Sequence, residues 1–264
     1  MSALDLRELP GAVFGSGVAR RVALTGWDAA IRGILPTARR IGFVSLAPGV
    51  GTTTLAREVL TAVAGRRADP LLAVDAAGGA DDLGARLGVG VTAPDETRAG
   101  ARTTADALAG LPTGPGWRAL RPAVADGPVA AWLGEAAPIA RFFDVSITDF
   151  GARHPGVDLA ACAALTDVVC LVADARRTPA ELARAVAPAI AALPERPRPV
   201  LALVDHGRDG GGVARAFAGD PWPVVGIPFD AGLHAGRTPR RSATRQAVLR
   251  LAATLVSGGE AVPS

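Results

Sequence analysis

Short apolar runs recur along the chain, separated by stretches of helical length and by turns rich in Gly, Pro and Asp. Arg40–Leu46, Pro70–Ala76, Trp117–Val124, Asp144–Phe150, Asp167–Asp174, Pro199–His206 and Pro223–Phe229 are rich in consecutive Val, Leu, Ile or Ala, so each predicts a strand buried on both faces. Segments of helical character lie between most of them, over Thr53–Gly65, Pro128–Arg141, Thr178–Leu193 and Thr238–Val256. Strands alternating with helices predict an α/β fold: a doubly wound, mostly parallel sheet flanked by helices in three α/β/α layers.

Finer signals set the boundaries. Thr178-Pro179-Ala180-Glu181 reads as a helix start, with Thr178 as the cap and an acid near the positive end. Val89–Gly116 is rich in Thr, Ala, Gly and Pro and is expected to be a mobile connection with at most one short helix. Trp27–Leu35 has the pattern of an amphipathic helix docking on the sheet edge. Residues 1–36 are therefore expected as an N-terminal extension, 37–258 as the main domain and 259–264 as a flexible tail.

Composition sharpens this picture in one respect. All 28 residues of the Lys+Arg count are Arg, and the chain has no Lys, Asn or Tyr. The pI of about 9.9 overstates the basicity, because the formal charge is only +3 and no Lys or Tyr buffers the alkaline range. Bulk charge gives nucleic-acid binding no support. The N-terminus lacks a secretory pattern and no apolar run is long enough to span a bilayer, so a cytoplasmic protein is expected. Cys162 and Cys170, read against a redox pair or half a metal site, are expected as two small buried hydrophobes. His154, His206 and His234 lack ligand spacing, which favours structural or surface roles.

Candidate chemistry gathers where the first strand ends. Ser45-Leu46-Ala47-Pro48-Gly49-Val50-Gly51-Thr52-Thr53-Thr54 has the context of a phosphate-binding loop: strand, Gly-rich turn, helix. The same residues also suit a plain strand-to-helix turn. Asp75 and Asp149 close the second and fourth predicted strands, and in a parallel sheet those ends share one edge with the loop. Gly151 follows as a phosphate-facing glycine, and Thr53 or Thr54 offers a hydroxyl that can hold Mg²⁺ beside Asp149. A P-loop lysine reaches the β- and γ-phosphates as a point charge, and Thr52 stands in its place.

This constellation resembles the MinD/ParA family of deviant P-loop ATPases, whose loop reads Lys-Gly-Gly-x-Gly-Lys-Thr-Thr. The resemblance runs over roughly Arg40–Val256. Gly49, Gly51, Thr53 and Thr54 match that loop, whereas Ala47 replaces the signature lysine that reaches across a dimer, Thr52 replaces the loop lysine and Pro48 replaces a glycine. The family's Asp-x-Asp becomes Asp75-Ala76-Ala77, so the carboxylate that positions the attacking water is absent. Its adenine-reading Asn has no counterpart, with Asp205 or His206 nearby, while Ile227-Pro228-Phe229-Asp230-Ala231-Gly232-Leu233 is similar to the family's Ile-Pro-Phe-Asp-x-x-Leu. Thr148-Asp149-Phe150-Gly151 and Ser242–Leu249 look most like actinobacterial MinD-like proteins associated with type VII (ESX) secretion.

The resemblance implies a cofactor site of Gly49, Val50, Gly51, Thr52, Thr53, Thr54, Asp75, Asp149, Gly151, Pro228 and Asp230, with Thr53 and Asp149 toward metal and no catalytic residue retained. It implies weak ATP and Mg²⁺ binding or none, and a pseudo-ATPase serving as scaffold or regulator of a protein partner such as a secretion component, with a homodimer as a further form. A slow ATP-dependent dimer switch, with Arg153 in place of the lysine, is the first alternative. The second is a DNA-associated partition factor using Arg237, Arg240, Arg241 and Arg245, set against a solvated helix start. Glu260–Ser264 lacks the basic amphipathic pattern of a membrane tail, so no stable membrane anchor is expected.

Overall fold

The computed structural model describes residues 9–156, 158–207, 212–217 and 219–258, with side chains from residue 17 onward. Its centre is an eight-stranded sheet of order β3-β4-β2-β5-β1-β6-β7-β8. The strands are β1 Arg39–Ser45, β2 Leu71–Asp75, β3 Thr113–Gly114, β4 Trp117–Leu120, β5 Val145–Ala152, β6 Val168–Asp174, β7 Arg198–Val204 and β8 Val224–Ile227. Every pairing is parallel except the short β3–β4 hairpin. All seven expected strands form, and β3 is an addition.

Alternation along the strands divides the core into two faces. Val168, Cys170 and Val172 point into one apolar cluster, and Val169 and Leu171 into the other. Both cysteines are buried and free, as small core hydrophobes should be. Gly42 in β1 faces a close approach, since a Cβ there would lie 2.7 Å from Thr166 Cγ2 and 3.1 Å from Phe150 Cε2.

One face is covered by α1 (Leu9–Arg32), α2 (Thr52–Ala64) and a long C-terminal helix, Ser242–Val256. In α1, Ala23, Trp27 and Ile31 recur every four residues and enter the same cluster as Ile41 and Phe43. The helix therefore docks on Ser242–Val256 within the helical layer rather than at the sheet edge. Arg66 Nε on Asp28 Oδ1 at 3.0 Å and Arg67 Nη1 on the Ile31 carbonyl at 2.8 Å tie it to the end of α2. Among the described residues no helix is long and apolar enough to cross a membrane.

Several expected boundaries shift for local reasons. The fourth strand in chain order stops at Leu120 rather than Val124, because Pro122 has no N–H to donate. Pro128–Arg141 is not one regular helix: a π-turn over Trp132–Ala136 separates Pro128–Ala131 from Ala137–Ala140, and Pro138 cannot donate back to Gly134. The helix expected from Thr178 spans Arg177–Ala191, with Arg176 at the cap position and no side-chain cap bond. The last helix begins at Ser242 rather than Thr238.

Val89–Gly116 carries two short helices, Glu96–Ala99 and Thr104–Leu108, and then β3, where at most one helix was expected. Arg98, 2% exposed, holds the segment by donating to the carbonyls of Ala109 at 2.9 Å and Ala93 at 2.5 Å. The expected tail, 259–264, lies outside the described residues.

Candidate functional site

β1 lies between β5 and β6, and chain order runs outward in opposite directions from this region, so the loop after β1 sits at the switch point of the sheet. Ser45 Oγ donates to the Ala47 carbonyl at 2.9 Å as the loop opens. Gly49 at φ 75° and Gly51 at φ 94° adopt left-handed backbone that most side chains avoid. Gly51 caps α2 without a side-chain bond, so the first-turn N–H groups face the cleft unclaimed by a cap.

A cleft of about 520 Å³ opens over this loop. Gly49, Gly51, Thr52, Thr53, Thr54, Gly151, Pro228 and Asp230 line it, so eight of the expected positions converge on one space. Val50, Asp75 and Asp149 lie behind the lining, each buried.

Asp149, at the buried part of β5, accepts from the Gly151 N–H at 2.9 Å, and the Thr53 hydroxyl acts on it from the start of α2. Its Oδ2 is buried without a partner. Burial pushes its pKa up, against the opposing pull of Thr53, Gly151 and the Arg153 and Arg86 charges. An orphaned carboxylate oxygen beside a hydroxyl at a helix start fits a hard cation, so Thr53 and Asp149 suit Mg²⁺.

Asp75 faces inward instead. It accepts from Gly84 N–H at 2.7 Å and Ala77 N–H at 3.3 Å, with Arg121 Nε at 3.7 Å. Burial, joined by a hydrogen bond with Asp82, pushes its pKa up to about 7. Asp82 caps the short helix Leu83–Leu87 through Ala85 N–H at 2.9 Å and accepts from Arg121 Nη2 at 2.8 Å.

Asp230 is likewise engaged by backbone. It caps Ala231–His234 through Gly232 N–H at 2.7 Å and Leu233 N–H at 3.1 Å, and accepts from Arg241 N–H at 2.6 Å. Burial would raise its pKa, but the N–H groups of Arg241, Arg240, Leu233 and Gly232 outweigh this and hold it low. Pro228 lines the same wall.

Two arginines line the loop end of the cleft. Arg153 donates through Nη2 to the carbonyls of Ala76 and Ala77, both at 3.2 Å, and its Nε is buried without a partner. Arg86 was not legible as a site residue: it reaches from Leu83–Leu87 to Thr54 Oγ1 at 2.6 Å and to Asp81 Oδ2 at 2.6 Å. Thr54 is 32 positions away, and no local motif joins the two.

The histidines are not all scattered. His206 and His234 meet in the cleft with their Nδ1 atoms 3.4 Å apart, whereas His154 Nδ1 accepts from Gly156 N–H at 3.2 Å. In the arginine cluster, Arg241 donates to the Phe229 carbonyl at 3.1 Å and Arg245 to the Arg240 carbonyl at 2.6 Å, both at the start of the last helix.

A mostly parallel sheet with a glycine-rich strand-to-helix loop at its switch point is the layout of the P-loop NTPase α/β fold. Comparison with solved structures narrows the class to the fold of MinD/ParA-family ATPases. A chain of the Aquifex aeolicus MinC:MinD cell division complex is similar over 86% of this chain and 98% of its own, with TM-score 0.63 and 20% identity. The Pyrococcus furiosus cell division ATPase MinD gives TM-score 0.62 at 18% identity over 83% and 98% of the two chains. A ParA family ATPase from Chlorobium tepidum gives 0.57 at 19% over 82% and 98%. No protein-family model and no curated protein matches the chain.

Proposed function

We propose that this chain is a degenerate MinD/ParA-like protein whose cleft holds a nucleotide weakly and does not turn it over, and that it serves as a scaffold or regulator of a protein partner. Position 52 carries the reading. Thr52 lines the cleft at the place of the loop lysine and is 7% exposed, and the chain has no lysine to replace it. An unpaired charge in a closed site costs about 3–5 kcal/mol, enough to weaken polyphosphate binding severely.

Loss of turnover is supported by Ala77. It lies beside Gly151 at the cleft wall and offers a methyl group where the family resemblance places a water-positioning carboxylate. Gly49–Thr54 would receive the phosphates, and Thr53 with Asp149 would hold Mg²⁺, which when bound supplies positive charge to the phosphate oxygens. Likeness of Thr148–Gly151 and Ser242–Leu249 to proteins of type VII secretion supports a secretion component as the partner.

Calorimetric titration with Mg²⁺-ATP, together with phosphate release, tests the proposal. Weak binding with no release above an Asp149→Ala control is expected. Steady turnover abolished by Asp149→Ala would overturn it and favour the slow switch, for which the buried unpartnered Nε of Arg153 is the supporting observation.

A further inference from the structure

We infer that His206 and His234 form a two-histidine site for a late first-row divalent cation, of which Zn²⁺ is the probe, at the rim of the cleft. His206 lies two residues beyond β7, and His234 ends the short helix after β8. Parallel pairing of Val204 with Ile227 brings both connections to the same sheet edge. The helix bearing His234 is fixed by the Asp230 cap, and the Phe229 ring lies against the imidazole with centroids 5.9 Å apart.

Distance and tautomer both suit a metal. Two nitrogens bound to tetrahedral Zn²⁺ at about 2.0–2.1 Å are about 3.3–3.4 Å apart. The Nδ1 atoms of His206 and His234 are 3.4 Å apart, longer than an ordinary hydrogen bond. His206 Nε2 lies 3.3 Å from the Val50 carbonyl, and a carbonyl can only accept, so Nε2 carries the hydrogen in this contact. That leaves a lone pair on Nδ1, the atom that lies 3.4 Å from His234 Nδ1. A ligating histidine whose other nitrogen donates to a carbonyl is the usual outer-shell arrangement, and imidazole donors select Zn²⁺, Ni²⁺ and Cu²⁺ over Mg²⁺. Two coordination positions would stay open to water or to a ligand in the cleft.

Through Val50 the ion would hold the loop that precedes α2, independently of any nucleotide. The test is therefore run without one: calorimetric titration of the whole chain with ZnCl₂, and electron paramagnetic resonance of the Cu²⁺-loaded protein. One Zn²⁺ per chain is expected, with imidazole nitrogen couplings in the Cu²⁺ spectrum. His206→Gln and His234→Gln should each weaken Zn²⁺ binding by at least about tenfold, the least that loss of an outer-shell partner costs, and His154→Gln should not. No Zn²⁺ uptake by the wild-type chain, or uptake unchanged in both single variants, overturns the site. Should one variant fail to fold by circular dichroism, the other decides, since each removes one of the two donors.

Discussion

Arg86 Nη1 donates to Thr54 Oγ1 at 2.6 Å, placing a guanidinium over the first turn of α2. Its other terminal nitrogen is held by Asp81, whose side chain is 79% exposed. The cleft thus has positive charge near the loop, but in a fork already engaged at both ends. A lysine in the loop itself would instead carry its charge to the end of a free stem.

Restoring the loop should restore binding. Ala47→Lys, Pro48→Gly and Thr52→Lys together add two charges and one backbone donor, and are expected to raise Mg²⁺-ATP affinity by at least about tenfold, about 1.4 kcal/mol, in calorimetric titration. Hydrolysis should require Ala77→Asp in addition. A folded triple variant that binds no more tightly would show that the cleft does not admit the polyphosphate.

Assembly should be indifferent to nucleotide. The MinD/ParA resemblance implies two subunits facing each other across two nucleotides, each completing the other's site with a signature lysine. Ala47 occupies that position at an exposed point of the loop and has no charge to offer. Light scattering should return the same mass with and without Mg²⁺-ATP, and a dimer formed only with nucleotide would contradict the pseudo-ATPase proposal.

Arg98 should be a major point of stability in the Val89–Gly116 segment. Its side chain is 3% exposed, with Glu135 at 3.6 Å and two backbone carbonyls as acceptors. Arg98→Ala takes a buried guanidinium away from these acceptors, so urea denaturation should show a loss of about 1–3 kcal/mol. Arg98→Lys should recover little of it, because one ammonium cannot span the fork.

Asp75 should make stability depend on pH. Its folded pKa is raised from the ordinary 3.8 to about 7, so the folded chain keeps a proton that the unfolded chain has released. The resulting stabilisation is full below 3.8 and is lost as pH rises through about 7. Asp82→Asn keeps a competent helix cap but removes the carboxylate that helps raise Asp75, and Asp82's own pKa is lowered, below that window. Between about pH 5 and about pH 8, the wild-type unfolding free energy should fall more steeply than that of Asp82→Asn.

The sheet was legible because strands buried on both faces leave apolar runs that survive without context, as in Val168–Asp174. The glycine loop was legible because its geometry is local: strand, positive-φ glycines and helix lie within a few residues. Arg98 was not, since its acceptors are main-chain carbonyls that leave no mark on residue choice. His206 and His234 were missed for a different reason: they are 28 positions apart, and only the pairing of β7 with β8 makes them neighbours. Asp75 and Asp230 stand out in the sequence as strand-end carboxylates, but the backbone N–H groups that engage both come from the turns that follow and leave no mark on residue choice.

The left-handed dihedrals of Gly49 and Gly51 belong to the main chain, and Ala47, Thr52 and Ala77 contribute to that path only through their own backbone. The shape of the cleft and its reactivity are thus encoded in separate parts of the same residues. On the function proposed above, point substitution at these positions would alter the chemistry of the cleft while its folding problem stays the same. The region from Ser45 to Thr54 is accordingly a place to graft new chemistry onto this chain, with the sheet as an indifferent host.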